Sequence, residues 1–222
     1  MKPAAILFDF DGVIADSEVV TAGVFSRFLT SIGLACTAEE VHQRYFGLNR
    51  QDQLASMAAT WGDRVPGDIA AQIATHVDAT LDAPFAPIQG LGDFLNLTAH
   101  LPRAIASSNA SAHIRGQLRH FGMAAHFGDH VYSGREHVTR GKPHPDLYLH
   151  AAAALGVQPV DALVIEDSPV GVAAGVAAGA QVIGLCAGSH CPPDHGARLL
   201  AAGAHQVFGS YVEVAEALGF QN

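Results

Sequence analysis

The chain has 222 residues, 49% of them hydrophobic and 15% charged, a globular composition tilted toward apolar. Its 12 Lys and Arg against 21 Asp and Glu give a formal charge of −9, and no basic block occurs anywhere. That balance argues against nucleic acid or an anionic membrane as partner, and the length suits one large domain or a core with a smaller insert.

In chain order, the first element is a short apolar run, AAILF at 4–8, which reads as a buried strand. Residues 17 to 85 then read as helix after helix (17–32, 38–45, 50–61 and 68–82), with SIG, FGLN and WGDRVPGD as breakers. This stretch is expected to form a separate helical domain, 17–85, inserted into a core made of 1–16 and 86–222. APFAPIQG (83–90), with two prolines and a closing glycine, reads as the return linker. Further strands are expected at RAIA (103–106), DALVI (161–165) and QVIGL (181–185), with a last short one in HQVFG (205–209). Alanine-rich helical stretches lie between them at 110–121, 145–155 and 169–178, and a closing helix near 210–218. Buried strands alternating with helices imply an α/β fold, a parallel sheet covered on both faces.

Ligands of open α/β sheets sit outside the carboxyl ends of the strands. The residues just past each strand are therefore the informative part of the sequence. After 4–8 comes Asp9-Phe10-Asp11-Gly12; after 103–106, Ser107-Ser108-Asn109; after 161–165, Glu166-Asp167-Ser168. Gly141-Lys142-Pro143 stands ahead of the helix at 145–155. Acids, hydroxyls and a lysine should converge on one edge of the sheet. Crowded carboxylates call for a cation between them, and the all-oxygen set of Asp9, Glu166 and Asp167 suits Mg²⁺. A lysine and a hydroxyl are what a phosphoryl group then needs. An aspartate can attack phosphorus itself, and a second carboxyl two residues on can move the proton.

The set FDFDG, IASSN, GKPHPD and IEDSPVGVAAGVAAG resembles, in order and spacing, the four motifs of the haloacid dehalogenase superfamily of phosphohydrolases. The helical insert resembles the small cap of its β-phosphoglucomutase-like subfamily. The resemblance implies a doubly wound parallel sheet with a mobile helical cap whose closure excludes water. It implies Asp9 as nucleophile and Mg²⁺ ligand, and Asp11 as general acid/base giving its backbone carbonyl to the metal. Ser107, Ser108 and Lys142 would bind the phosphoryl group, and Asp167 would ligate Mg²⁺ with Glu166 supporting it. In the cap, Gly47-Leu48-Asn49-Arg50 is similar to a loop that faces substrate, with Arg50 its strong cation. Asn109, Ser17 and Glu18 are second-tier substrate candidates. Asp16, Ser17 and Glu18 otherwise read as the hinge into the cap.

The expected activity is a Mg²⁺-dependent phosphatase acting on a small phosphorylated metabolite, a sugar phosphate or sugar-acid phosphate, through an aspartyl-phosphate. The rival is a β-phosphoglucomutase-type mutase, in which the first cap helix carries a histidine and a lysine. Thr21 and Phe25 stand at those positions here. A phosphonatase needs a cap lysine, and none occurs from Ser17 to Pro84. A dehalogenase would lack the second catalytic aspartate, and a non-catalytic relative would have lost Asp9 or Asp11. A dinucleotide-binding domain needs G-x-G-x-x-G, which GLGDFL (90–95) does not complete.

Other features point elsewhere or nowhere. Gly171, Gly175 and Gly179 fall four apart and read as helix-on-sheet packing. Three cysteines, Cys36, Cys186 and Cys191, form no CxxC pair and suggest free thiols in a reducing compartment. Thirteen histidines are scattered without HExxH or paired Cys/His spacing, so no histidine metal site is expected. GSHCPPDHG (188–196) reads as an ordinary rim loop. MKPAAILFDFDG does not read as a secretory signal, and no run reaches the roughly 18 apolar residues of a membrane span. The expected location is cytoplasmic, as a monomer or weak homo-oligomer.

Overall fold

The computed structural model describes residues 2–45, 50–80 and 85–220. In chain order the elements are β1 (Ala5–Phe8), β2 (Ala15–Asp16), α1 (Glu18–Ser31), α2 (Ala38–Tyr45), α3 (Arg50–Trp61), α4 (Ile69–Thr80), β3 (Ala86–Pro87) and α5 (Leu91–Leu97). They continue with β4 (Arg103–Ser107), α6 (Ser111–His120), β5 (Val131–Ser133), α7 (Asp146–Ala154), β6 (Ala162–Glu166), α8 (Pro169–Ala177), β7 (Gln181–Leu185), α9 (His195–Ala201), β8 (Gln206–Phe208) and α10 (Tyr211–Ala217). The chain divides into two compact units, Met1–Asp16 with Ala86–Asn222, and Ser17–Phe85. Among the described residues, no helix is long and apolar enough to cross a membrane.

The first unit is built on a six-stranded parallel sheet in the order β5-β4-β1-β6-β7-β8. All four residues of β1 are buried because the strand lies mid-sheet with both faces covered. On one face Leu7, Ala104, Val164 and Val182 meet Leu147, Tyr148, Ala151 and Val172 from α7 and α8. On the other, Phe8 meets Phe94 and Phe127 edge-on, at 6.2 and 5.7 Å between ring centroids. The chain winds from β1 outward to β4 and β5, then returns to the other side for β6, β7 and β8. The reversal falls beside β1, the place where open α/β sheets hold their ligands.

Register fixes what meets at that edge. Phe8 pairs with Ile165 across β1 and β6, and the amide of Asp9 donates to the carbonyl of Ile165 at 3.0 Å. Asp9 therefore stands level with Glu166.

Three features of this unit differ from the sequence reading. Val131–Ser133 adds an edge strand of three residues, too short to signal itself. Leu91–Leu97 and His195–Ala201 add helices of seven residues each. The supposed linker contributes Ala86–Pro87 to a two-residue antiparallel pair with Ala15–Asp16.

The second unit, Ser17–Phe85, contains α1 to α4 and has its own apolar cluster. Phe25, Phe28 and Leu29 of α1 pack with Val41 and Tyr45 of α2, Met57 of α3 and Ile69 of α4. Thr37 and Glu40 cap α2 reciprocally, the Glu40 amide donating to Thr37 Oγ1 at 3.1 Å and the Thr37 amide to Glu40 Oε2 at 2.9 Å.

Candidate active site

The chain leaves β1 in a tight loop. Gly12 has φ +70, its amide donates to the Ala15 carbonyl at 2.8 Å, and Tyr211 Oη donates to the Val13 carbonyl at 2.9 Å. A Cβ at Gly12 would collide with the carboxylate of Asp167. Only glycine permits both the left-handed turn and that approach.

Asp9 and Asp167 are buried, and Glu166 is fully so. One carboxylate oxygen from each lies within 4.8 Å of the other two. Lys142 Nζ enters from the loop before α7 and donates to Asp9 Oδ1 at 2.6 Å and Glu166 Oε1 at 2.7 Å. Glu166 accepts three more kinds of donor: Tyr148 Oη at 2.8 Å, the amides of Asp167 and Ser168, and Ser168 Oγ, the last three at 3.0 Å. Its oxygens are thus committed to holding Lys142 and the β6–α8 turn. Ser168 Oγ also accepts from the Gly171 amide, capping α8.

Burial pushes the Asp9 carboxyl up to about 8; Lys142 pulls it down, while Glu166 and Asp11 push it further up. Burial alone would lower the lysine, but Asp9 and Glu166 outweigh it and hold Lys142 well above its ordinary value. One ammonium faces three buried acids. The donor set is hard, anionic and short of positive charge, so it fits a divalent cation of the Mg²⁺ kind.

Asp11 is half-buried, and its Oδ2 accepts from Asn109 Nδ2 at 2.7 Å. Ser107 is buried at the end of β4, and its Oγ accepts from the Asn109 amide at 3.1 Å. The next residue, Ser108, is exposed. Arg103, at the other end of β4, is spent on structure: its guanidinium donates to the carbonyls of Leu95 and Thr98 at the end of α5. Lys142 and the strand-end acids Asp9, Glu166 and Asp167 form one cluster, and Ser107, Asn109 and Asp11 form a hydrogen-bonded chain.

The remaining candidates lie in the helical unit. Ser17 and Glu18 stand at the start of α1, where the Ser17 carbonyl accepts from Thr21 Oγ1 at 2.9 Å. Arg50 is the first residue of α3, and Gly47, Leu48 and Asn49 lie outside the described residues.

Three participants were not anticipated. Tyr148 carries no motif; it matters because one turn of α7 sets it against Glu166, with Lys142 Nζ 4.9 Å from its ring centroid. His190 Nε2 lies 3.1 Å from Asp167 Oδ2, and His195 Nε2 donates to the Asp167 carbonyl at 2.5 Å. Both come from GSHCPPDHG, so that segment is more than a rim loop. Burial raises the Cys191 thiol above its ordinary value despite the nearby His190, which makes it a poor nucleophile.

The parallel sheet, with its carboxylates and serine at the strand ends and a lysine buried among them, defines the protein as an α/β enzyme. The family profile described as haloacid dehalogenase-like hydrolase matches residues 6–185. The chain belongs to that family. It is 33% identical over 197 residues to hexitol phosphatase A of Escherichia coli K12, covering 86% of this chain and 87% of that one. It is 29% identical over 198 residues to 6-phosphogluconate phosphatase of the same organism, covering 85% of each. A crystal structure of a family hydrolase from Deinococcus radiodurans, with bound phosphate and sodium, superposes with a TM-score of 0.80 at 35% identity, covering 98% of this chain and 96% of that one.

Proposed function

We propose that the protein is a Mg²⁺-dependent phosphoric monoester hydrolase acting on a small sugar phosphate or sugar-acid phosphate. The observation that carries this reading is the lysine-bridged pair of Asp9 and Glu166 beside Asp167, with Asp11 two residues past Asp9 and Ser107 at the end of the neighbouring strand β4. The two phosphatases named above support the substrate class.

Asp9, Asp167 and the main-chain carbonyl of Asp11 would hold Mg²⁺, which supplies charge to offset that on the phosphoryl oxygens. An ionised Asp9 attacks phosphorus as the bond to the leaving oxygen breaks, and Asp11 gives that oxygen its proton. Asp11 then takes a proton from water as the water attacks the aspartyl-phosphate, releasing phosphate and restoring Asp9. Asn109 orients Asp11 throughout. Lys142 and Ser107 hold the phosphoryl oxygens, and Glu166 fixes Lys142. We assign Ser17–Phe85 the choice of substrate, with Arg50, Ser17 and Glu18 as its candidates and Ser108 as a further phosphate contact.

Two positions favour the hydrolase over the mutase. Thr21 returns its hydroxyl to the Ser17 carbonyl, and Phe25 belongs to the helical unit's apolar cluster. Neither supplies a proton-transferring or cationic group. The test is phosphate release from a panel of phosphorylated sugars, sugar acids and alditols, with Mg²⁺ and with EDTA. The panel includes β-glucose 1-phosphate plus its bisphosphate activator. Hydrolysis that needs Mg²⁺ and disappears in Asp9→Asn is expected. Turnover retained by that variant would exclude the covalent route, and isomerisation without phosphate release would select the mutase.

A further inference from the structure

The loop from β7 into α9 carries a second group of ligand-type side chains, of different chemistry from the acids at the strand ends. His190, Cys191 and His195 each offer one donor atom, and the three atoms lie within 4.8 Å of one another. His190 Nε2 is 3.5 Å from Cys191 Sγ. Cys186 brings a second thiol close by in the chain, five residues before Cys191. In sequence this is Cys186-x3-His190-Cys191-x3-His195, two thiols and two imidazoles within ten residues. One compressed run of this kind does not match the pattern of two separated ligand pairs.

The surroundings hold these donors in place. Cys186 is tied to the sheet, its amide donating to the Phe208 carbonyl at 2.8 Å. Ser189 anchors the loop through its amide and hydroxyl, which donate to Asp16 Oδ1 at 3.0 and 2.9 Å. The Cys191 amide donates to the Gly188 carbonyl at 3.2 Å and that of His195 to Pro192 at 3.0 Å. A Cβ at Gly188 would come 2.5 Å from the His190 ring, so glycine makes room for that imidazole. His195 donates from Nε2 to a backbone carbonyl, an acceptor only. A neutral ring so fixed carries its lone pair on Nδ1, and this is how metal-binding histidines are commonly oriented.

We propose that His190, Cys191 and His195 form a second cation site for a borderline-soft divalent ion of the zinc kind. Mixed sulfur and imidazole donors select such ions over Mg²⁺, which takes oxygen. The two sites touch. His190 lies 3.1 Å from Asp167 Oδ2, so a cation held in the loop engages the imidazole that touches a carboxylate of the oxygen site.

The test uses the full chain, reduced, with Mg²⁺ in excess to fill the oxygen site, titrated with Co²⁺ and then Zn²⁺. One Co²⁺ per chain is expected, with near-ultraviolet absorption from thiolate-to-cobalt charge transfer that Zn²⁺ abolishes. Cys191→Ser should remove the band and weaken Zn²⁺ binding by more than about 100-fold, beyond the usual loss for an outer-shell change. If that variant does not fold, the unaltered chain decides: Zn²⁺ should protect Cys191 from alkylation, read by mass spectrometry. Absence of the band or of the protection overturns the proposal. So does Zn²⁺ uptake that survives Cys191→Ser or vanishes in Asp9→Asn. Hydrolysis is not measured, so failure here is separate from failure of the phosphatase reading.

Discussion

Lys142 is the side chain on which the site's electrostatics turn. It is buried between Asp9 and Glu166, and its ammonium is what allows those acids to be buried together. Removing one partner of a buried ion group leaves uncompensated charge and costs about 3–5 kcal/mol. Lys142→Met should therefore lower unfolding stability by that order in metal-free denaturant melts, and abolish phosphate release. Adding Glu166→Gln should recover part of the stability and none of the activity. Equal stability of Lys142→Met and the unaltered chain would show that the lysine is not the counter-charge. At this scale the acids, Ser107 and Lys142 were legible because strand ends converge and these residues stand at them or just ahead of a helix. Tyr148, His190 and His195 were not. Their roles depend on which loop and helix pack over the β6 end, and residue types alone do not encode that.

At the scale of elements, glycines with the same spacing do different work. Gly171 sits where a Cβ would overlap the Glu166 carboxyl, and Glu166 cannot yield because its oxygens are held by Lys142, Tyr148 and Ser168. Gly175 lets α8 rest on Val164 and Val182. Gly179, at φ +81, ends the helix instead of packing it, with the Ala180 amide donating to the Gly175 carbonyl. The periodic pattern suggested one packing role for all three; it could not distinguish a stop signal from a contact. Gly171→Ala should destabilise by about 1–3 kcal/mol through overpacking. Gly116→Ala, inside α6 with open space around its Cβ, should stabilise by about 0.5–1 kcal/mol. Chemical denaturation of both variants checks the contrast, and a stabilised Gly171→Ala would contradict it. A second element-scale prediction concerns the start of α6, where Glu136 accepts from Ser111 Oγ at 2.5 Å and from its amide at 2.8 Å. These bonds hold the Glu136 carboxyl below its ordinary 4.5. A depressed folded pKa means stability present above 4.5 and lost as pH falls through the folded value. The melting difference between the unaltered chain and Glu136→Gln should shrink as pH drops below 4.5; a gap constant with pH would show that the carboxylate does not cap the helix.

At the scale of the whole molecule, each unit has its own apolar cluster, the first under α7 and α8 and the second among α1 to α4. The chain leaves the first unit after Asp16 and re-enters at Ala86, and these two residues are register partners in the β2–β3 pair. Antiparallel neighbours are closed in other proteins by a two-residue turn, for which Asn-Gly is well suited. Replacing residues 17–85 by Asn-Gly should therefore leave a chain that folds, because its sheet, its core and the Asp9–Lys142–Glu166 contacts all come from the retained residues. The inserted helices were readable from an unbroken helical period where the rest of the chain alternates. The closeness of the two ends was not readable, since Ala15–Asp16 and Ala86–Pro87 are too short to signal strands. The shortened chain should melt cooperatively and hydrolyse a small aryl phosphate with Mg²⁺. Its preference among phosphorylated sugars should fall by about tenfold or more, the scale on which pocket contacts discriminate substrates. A shortened chain that unfolds would show that the first unit depends on the second. One that folds and keeps the full preference would move substrate selection to the strand ends themselves.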